Sequence, residues 1–348
     1  MRPETFLTTW QAPSNIALVK YWGKYGRQLP KNPSLSISMQ GALTTTRMEA
    51  RLKPTPGVSV ELWFEGSSNP QFAERISGYL KSITPELPFL NDYHFIFHSN
   101  NTFPHSTGIA SSASSMAALA LCIAEMEQVI SGNFNIDNDF FRRASELARL
   151  ASGSASRSVF GGWSLWGNAE SVPESSDNYA IPVEFPEDSM FHNPGIAILI
   201  VSSLKKSLSS SMGHQLMDGH PYATSRYQQA REHLKQLIKA IEKEDFSQFA
   251  EIVEREALTL HSLLMTSSEE GLLMKPASLK IIEEVRSFRK TTGIPVCFTL
   301  DAGPNLLLIY PESARKAVVA FVESKLAPLC EGGKWLDDKL GEGPKKLA

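Results

Sequence analysis

Apolar positions along the chain fall into two periods. Met116, Leu119, Ala120, Ile123, Met126 and Ile130 recur at steps of three and four, the spacing of one buried helix face, and predict a helix over 113–130. Helical patterns also cover 70–82, 138–151, 223–243, 246–265, 275–290 and 313–326. Segments 42–52, 58–65 and 93–98 are rich in Thr, Val, Phe and Ile and bounded by Pro, Gly or Asn, so they read as strands. A strand pair follows at 162–166 and 179–184, joined by an acidic, Pro- and Ser-containing loop at 170–178. Further strands are expected at 196–202, 296–300 and 306–310, and the tail 341–348 is expected to fray. Strands and helices do not alternate strictly. The pattern therefore predicts an α+β fold with antiparallel or mixed sheets rather than a doubly wound parallel sheet. Pro186 and Pro194 flank polar residues at 185–194 and mark a boundary between a lobe of 1–190 and a lobe of 191–348.

Composition narrows the function classes. The chain has 348 residues, 42% hydrophobic and 20% charged, with a formal net charge of -3. That is ordinary globular chemistry, with no basic footprint for nucleic acid. Cys122, Cys297 and Cys330 are odd in number and widely spaced, so neither a disulfide framework nor a zinc site is indicated and a reducing cytoplasm is expected. The longest apolar run, 196–201, is far shorter than the roughly 20 residues that span a bilayer, and 1–10 lacks a signal-peptide core.

Four islands of small and polar residues could carry chemistry. The first, FPHSTGIASSASS at 103–115, runs straight into the 113–130 helix. Gly108, Ala110, Ser111 and Ser112 let the backbone approach a ligand closely, and free N–H groups at a helix start favour phosphate. It is not a Walker A loop, since no Gly-Lys-Ser/Thr closes it; a Ser-rich helix cap is the plainer reading. The second, APSNIALVKYWGK at 12–24, sets Lys20 and Lys24 around Tyr21 and Trp22, either as a clamp for an anion or as a solvated strand end. In the third, SGSASRSVFGG at 152–162, Arg157 is the only charge and needs an anionic partner, whether ligand or structural carboxylate. The fourth, DAGPN at 301–305, ends an apolar strand with Asp301 on a tight turn.

In this order, the four blocks closely resemble the mevalonate diphosphate decarboxylases of the GHMP kinase superfamily. The resemblance implies a two-lobed α+β GHMP kinase-type fold, a homodimer, and a nucleotide bound in the cleft between lobes. It places Gly108, Ala110, Ser111 and Ser112 on the ATP phosphates. It makes Asp301, Lys20 and Arg157 the catalytic set. It assigns the substrate diphosphate to Tyr21, Trp22, Gly23 and Lys24, to Ser152, Gly153, Ser154, Ala155, Ser156 and Arg157, and to Arg75 on the 70–82 helix. The Ser loop at 209–211, with Ser210 and Ser211, follows the lobe boundary. The chain departs from the eukaryotic pattern at His105-Ser106-Thr107, at Ser156 where Cys is common, and at His214, near a position often held by Met.

The activity implied is conversion of mevalonate 5-diphosphate and ATP to isopentenyl diphosphate, ADP, phosphate and carbon dioxide, with magnesium carried on the ATP phosphates. No membrane or nucleic-acid partner is implied. The alternatives are a relative that uses mevalonate 5-phosphate, a mevalonate 3-kinase that stops at phosphorylation, an ordinary kinase of the superfamily, and a catalytically dead binding protein.

Overall fold

The computed structural model describes residues 2–103, 111–204, 210–267 and 272–347. The first sheet is built on two long strands, β1 (Thr5–Ala17) and β4 (Ser34–Leu52), which pair antiparallel along most of their length. Phe6, Thr8, Trp10 and Ala12 alternate inward along β1, and the register slips at Pro13–Asn15. A proline has no N–H to give the ladder, and such a bulge is where one is tolerated. On its other edge β4 meets two partners in succession. Its first half pairs with β8 (Trp163–Trp166), which continues to β9 (Ala180–Val183). Its second half pairs with β7 (Tyr93–Asn101), which lies parallel to β5 (Ser59–Phe64). The sheet is therefore mixed, as the α+β reading expects. Short pairs complete the set: β2 (Lys24–Tyr25) with β3 (Leu29–Pro30), and β6 (Ser67–Ser68) at the edge of β5.

Helices α1 (Pro70–Ile83), α2 (Ser111–Ser131) and α3 (Asn138–Ala151) share one apolar core with this sheet. Asn69 and Asp137 cap α1 and α3 by accepting the N–H of Phe72 and Phe140. By length and composition α2 could cross a membrane, but 78% of its most apolar stretch is buried inside the fold, where it serves as a core helix.

A second sheet runs β11 (Cys297–Thr299), β12 (Leu306–Tyr310), β10 (Gly195–Leu199), β13 (Trp335–Lys339), all antiparallel. One of its faces shares a core with α7 (Pro276–Thr292) and α8 (Arg315–Phe321). The other faces α5 (Ala223–Glu242) and α6 (Phe246–Met265), whose apolar sides also receive Ile16, Leu35, Ile37 and Leu165 from the first sheet. A six-residue helix, α4 (Ser210–Gln215), lies between β10 and α5.

Besides the unexpected strands β1 and β13, three stretches depart from the sequence reading. Strand β4 begins at Ser34, well before the expected 42, because its inward serines find partners: Ser34 donates to the Val19 carbonyl, Ser36 pairs with Ser164, and Ser38 donates to the Gly341 carbonyl. The helix expected over 313–326 is α only over Arg315–Phe321 and widens into a π turn at Val322–Leu326. Pro328 follows; it cannot supply the next helical N–H, so the last turns rearrange.

The third departure is the tail. Rather than fraying, Lys345–Lys346 form β14 on the edge of β1, with Trp10 opposite Lys346. The Lys346 ammonium lies 2.8 Å from a carboxylate oxygen of Glu125, an acid buried on α2. The other oxygen of Glu125 accepts from Thr8 and Trp10, each at 2.7 Å. Lys346 is about one third exposed, so the pair falls between a surface bridge and a buried one. Lys346→Met should destabilise the protein by about 1–2 kcal/mol, read as a lower urea midpoint. Adding Glu125→Gln should recover part of the loss, since the uncompensated charge is then gone.

Candidate active site

Lys20 follows the end of β1, where Leu18 and Val19 both donate to the Leu35 carbonyl and end the strand. Its backbone is held on both sides. The Lys20 N–H donates to Glu256 at 2.8 Å, and its carbonyl accepts from Asn32 and from Arg226. Glu256 and Arg226 are both buried and meet through two parallel bonds of 2.7 and 2.6 Å, while His233 lies 2.6 Å from the same carboxylate. Arg226 and His233 hold the Glu256 carboxyl down at about 2 against the pull of burial. Thus a charged cluster on α5 and α6 fixes the main chain of a lysine from the other half of the molecule.

The Lys20 side chain is 2% exposed. Its ammonium donates to the Ala17 carbonyl at 2.6 Å and to Asp301 at 2.8 Å. Burial lowers its pKa, and Asp301 opposes that shift. Asp301 stands between β11 and β12 on a turn pinned from three directions. Its carbonyl lies 3.1 Å from the His261 ring nitrogen, Asn305 accepts the N–H groups of Val201 and Ser202 at the end of β10, and Ser278 donates to the Pro304 carbonyl. The carboxylate itself is about one third exposed and open to a cavity.

Arg157 projects from a 3-10 turn, Gly153–Val159, that continues from α3. Its Nε donates to Asn15 at 3.4 Å and its guanidinium lies 5.9 Å from the centre of the Trp166 ring. Nη1 is buried with no hydrogen-bond partner among the described residues, and so is the Tyr21 hydroxyl. Burial lowers the Arg157 pKa to about 10, with Asp301 and Tyr21 acting against it. An unpaired buried donor costs about 1–3 kcal/mol, and one on a charged group calls for an anion. Both atoms belong to residues lining the cavity.

That cavity, about 120 Å³, brings together Lys20, Asp301 and Arg157 with Tyr21, Trp22, Lys24, Arg75, Ser112, Ser152, Gly153 and Ser154. Four cations there face one carboxylate among the described lining residues. Lys24, 3.0 Å from Gln28, has its pKa lowered by burial and then by Arg75, with Asp218 in opposition. Ser111 and Ser112 open α2, so that the positive end of a 21-residue helix faces the cavity. Gly23 sits at φ +92 in the turn after Trp22, and a Cβ there would fall 2.3 Å from the Tyr227 hydroxyl. Ala155 and Ser156 turn inward instead: both are buried, and Ser156 donates to the Gly153 carbonyl. Ser210 and Ser211 begin α4, whereas Gly108, Ala110 and the 105–107 departure lie outside the described residues.

Sequence reasoning missed several groups. Asn15 and Gln28 line the cavity, and His214, noted in the sequence only as a departure from the family pattern, enters it from α4. The supporting pair Glu256–Arg226 was also missed, although a signal existed: Glu256 stands on the same helix face as Val253, Ala257 and Leu260, all buried. A charge inside an apolar stripe needs a partner. Among the described residues no group of three His, Cys, Asp or Glu side chains is placed to hold a metal ion.

The Glu256 cluster sets an acid sensitivity. Its folded pKa, about 2, lies below the unfolded value near 4.3, so its ionised form stabilises the fold above that pH. The contribution disappears as pH falls through the folded pKa. The stability advantage of wild type over Glu256→Gln should therefore narrow by a few kcal/mol between about pH 5 and pH 2, measured as the gap between urea midpoints across that range.

A family model described as diphosphomevalonate decarboxylase-like N-terminal domain matches residues 12–180, and one described as mevalonate 5-diphosphate decarboxylase C-terminal domain matches residues 196–342. Diphosphomevalonate decarboxylase mvd1 of Aspergillus fumigatus is 30% identical over 94% of this chain and 82% of its own length. The mevalonate diphosphate decarboxylase structure from Staphylococcus aureus is 26% identical and superposes with a TM-score of 0.83, covering 99% of this chain and 98% of its own. The solved protein designated MDDEF, in complex with MVAPP, AMPPCP and magnesium, is 25% identical with a TM-score of 0.82 and covers 99% of both chains. Matched in both halves and along nearly its whole length, the chain belongs to the diphosphomevalonate decarboxylase family, on the α+β GHMP kinase fold.

Proposed function

We propose that the chain catalyses the ATP-dependent decarboxylation of mevalonate 5-diphosphate to isopentenyl diphosphate, with Asp301, Lys20 and Arg157 as its catalytic residues. The observation that carries the site assignment is the cavity itself, where an Asp–Lys pair stands beside a buried arginine whose Nη1 has no partner among the described residues. In the first step the substrate 3-hydroxyl attacks the γ-phosphorus of ATP. The bond to ADP breaks, and Asp301 takes the hydroxyl proton. Lys20 keeps Asp301 ionised beforehand and offsets the charge of the moving phosphoryl group. In the second step the tertiary C3–O bond breaks and phosphate leaves with its electron pair. The C–C bond to the carboxylate then supplies the electrons of the new alkene, releasing carbon dioxide. Arg157 holds the carboxylate or a phosphate so that the breaking bonds stay aligned.

Binding roles follow from position. Ser111 and Ser112 at the start of α2, with Gly108 and Ala110 before them, take the ATP phosphates. Lys24 and Arg75, with Tyr21, Trp22, Gly23, Ser152, Gly153 and Ser154, take the substrate diphosphate; Ala155 and Ser156 shape that turn from behind; Ser210 and Ser211, which begin α4, belong to the same substrate-binding set. The cavity is poor in carboxylates, which suits a magnesium ion that arrives on the ATP phosphates and keeps much of its water, with the Asp301 carboxylate and the Ser112 hydroxyl as the nearby oxygen donors. Magnesium bound in this way neutralises charge on the transferring group. The same reading includes a lobe of 1–190 and a lobe of 191–348 on either side of the cleft, a homodimer, and a cytoplasmic setting; three free, buried cysteines suit a reducing compartment.

Two variants test the assignment. Asp301→Asn should lower kcat by about 10²–10⁴-fold or more, with ADP and carbon dioxide release lost together; retention of half the wild-type rate would remove Asp301 from the reaction. Arg157→Lys keeps the charge but loses the planar fork. Its kcat should fall by about tenfold or more while ADP release outpaces carbon dioxide release, and unchanged kinetics would make Arg157 a structural residue.

A further inference from the structure

The ring of His214 does not belong to the reacting set, yet it is set deep in the cleft. It reaches from α4 into the turn at Tyr21–Lys24, with ring centres 4.1 Å from Tyr21 and 4.8 Å from Trp22. Its Nδ1 accepts the Gly23 N–H at 3.0 Å. A ring nitrogen that accepts carries no proton, so the proton of this imidazole is on Nε2. Burial, then the charges of Lys24 and Arg157, push its pKa down to about 3, which keeps the ring neutral at physiological pH.

The backbone of α4 is adapted to this insertion. A Cβ at Gly213 would fall 2.5 Å from the Trp22 indole, so α4 comes this close only with glycine there. Gly23 adopts φ +92, and a Cβ on it would strike Tyr227. Gly213 thus permits the close approach of α4 to the turn, and His214 Nδ1 makes a hydrogen bond across it. A methionine at this position would offer only a thioether, a weak acceptor, and would leave the Gly23 N–H without a good partner.

We infer that His214 is a positioning residue for substrate: a neutral hydrogen-bonding strut that holds the Tyr21–Lys24 turn in the conformation presenting Lys24 to the substrate diphosphate. The inference rests on the proposed function for the identity of the ligand. It differs in kind, because it assigns a role to a side chain that meets the turn rather than the reacting atoms.

The test compares wild type with His214→Met, which keeps bulk and loses the acceptor, and His214→Asn, whose amide oxygen reproduces the position of Nδ1. Steady-state kinetics with mevalonate 5-diphosphate and ATP are paired with calorimetric titration of inorganic diphosphate. Losing one neutral hydrogen bond corresponds to about 3- to 10-fold. His214→Met should raise KM for mevalonate 5-diphosphate and weaken inorganic diphosphate by that factor, with KM for ATP and kcat changed less than about twofold. His214→Asn should lie between Met and wild type on both measures. Equal diphosphate affinity in wild type and His214→Met overturns the inference, as does His214→Asn performing no better than His214→Met. A wild-type protein that binds diphosphate but turns over no mevalonate 5-diphosphate would refute the proposed function alone, because the affinity series still decides the role of His214.

Discussion

The arrangement depends on a buried carboxylate. Glu256 sits in apolar surroundings, where an ionised acid is sustained only by partners that repay its lost hydration. Arg226 meets it with a two-pronged contact, His233 adds a third bond, and the fourth goes to the main chain of Lys20. This last bond turns a helix-packing device into a link between halves of the molecule. Were the carboxylate lost, Arg226 would be stranded in the interior, and the segment leading from β1 into the cleft would lose its anchor. The position of the Lys20 ammonium against Asp301 is therefore inherited from α5 and α6, neither of which contributes a reacting group.

The cleft shows the opposite economy. There the fold leaves donors unsatisfied: Arg157 Nη1 and the Tyr21 hydroxyl are buried and unpaired among the described residues, and Lys24 shares its surroundings with Arg75. Such features cost stability in the empty protein and are repaid when an anion arrives. A protein can retain them only where neighbouring structure is over-determined. The turn bearing Asp301 is pinned by Asn305, Ser278 and His261, and the turn bearing Arg157 is anchored by the Ser156 hydroxyl and by Asn15, which also bonds Ser158. Satisfied polar groups behind the site support unsatisfied ones within it.

How much of this was legible in the sequence depended on whether the information was local. Helices at 138–151 and 246–265 were readable to the residue because cap and periodicity lie within each segment. Asp301, Lys20 and Arg157 were singled out because each sits in one of four short blocks whose order resembles the family, and the structure brings all three to one cavity. Strand β1 was not, since Pro13-Ser14-Asn15 resembles a turn and Thr8 looks polar until Glu125 is placed opposite it. Glu256, Arg226 and Lys20 are far apart in the chain, and no window of sequence contains their relation. Ser156 illustrates a subtler limit: a motif can bring a residue to the site without saying that its hydroxyl will turn back to cap its own loop.

The return of β14 to β1 has a consequence for how the protein is made. During synthesis β1 emerges among the first described residues and β14 among the last. Until β14 has been made, one margin of the first sheet stays open and Glu125 waits without its cation. N-terminal portions of a chain ordinarily begin to fold as they leave the ribosome; here that half is finished only once residues 345–346 have been made. A chain stopped before residue 345 would therefore injure the half of the molecule most distant from the break in sequence, the half that carries Lys20.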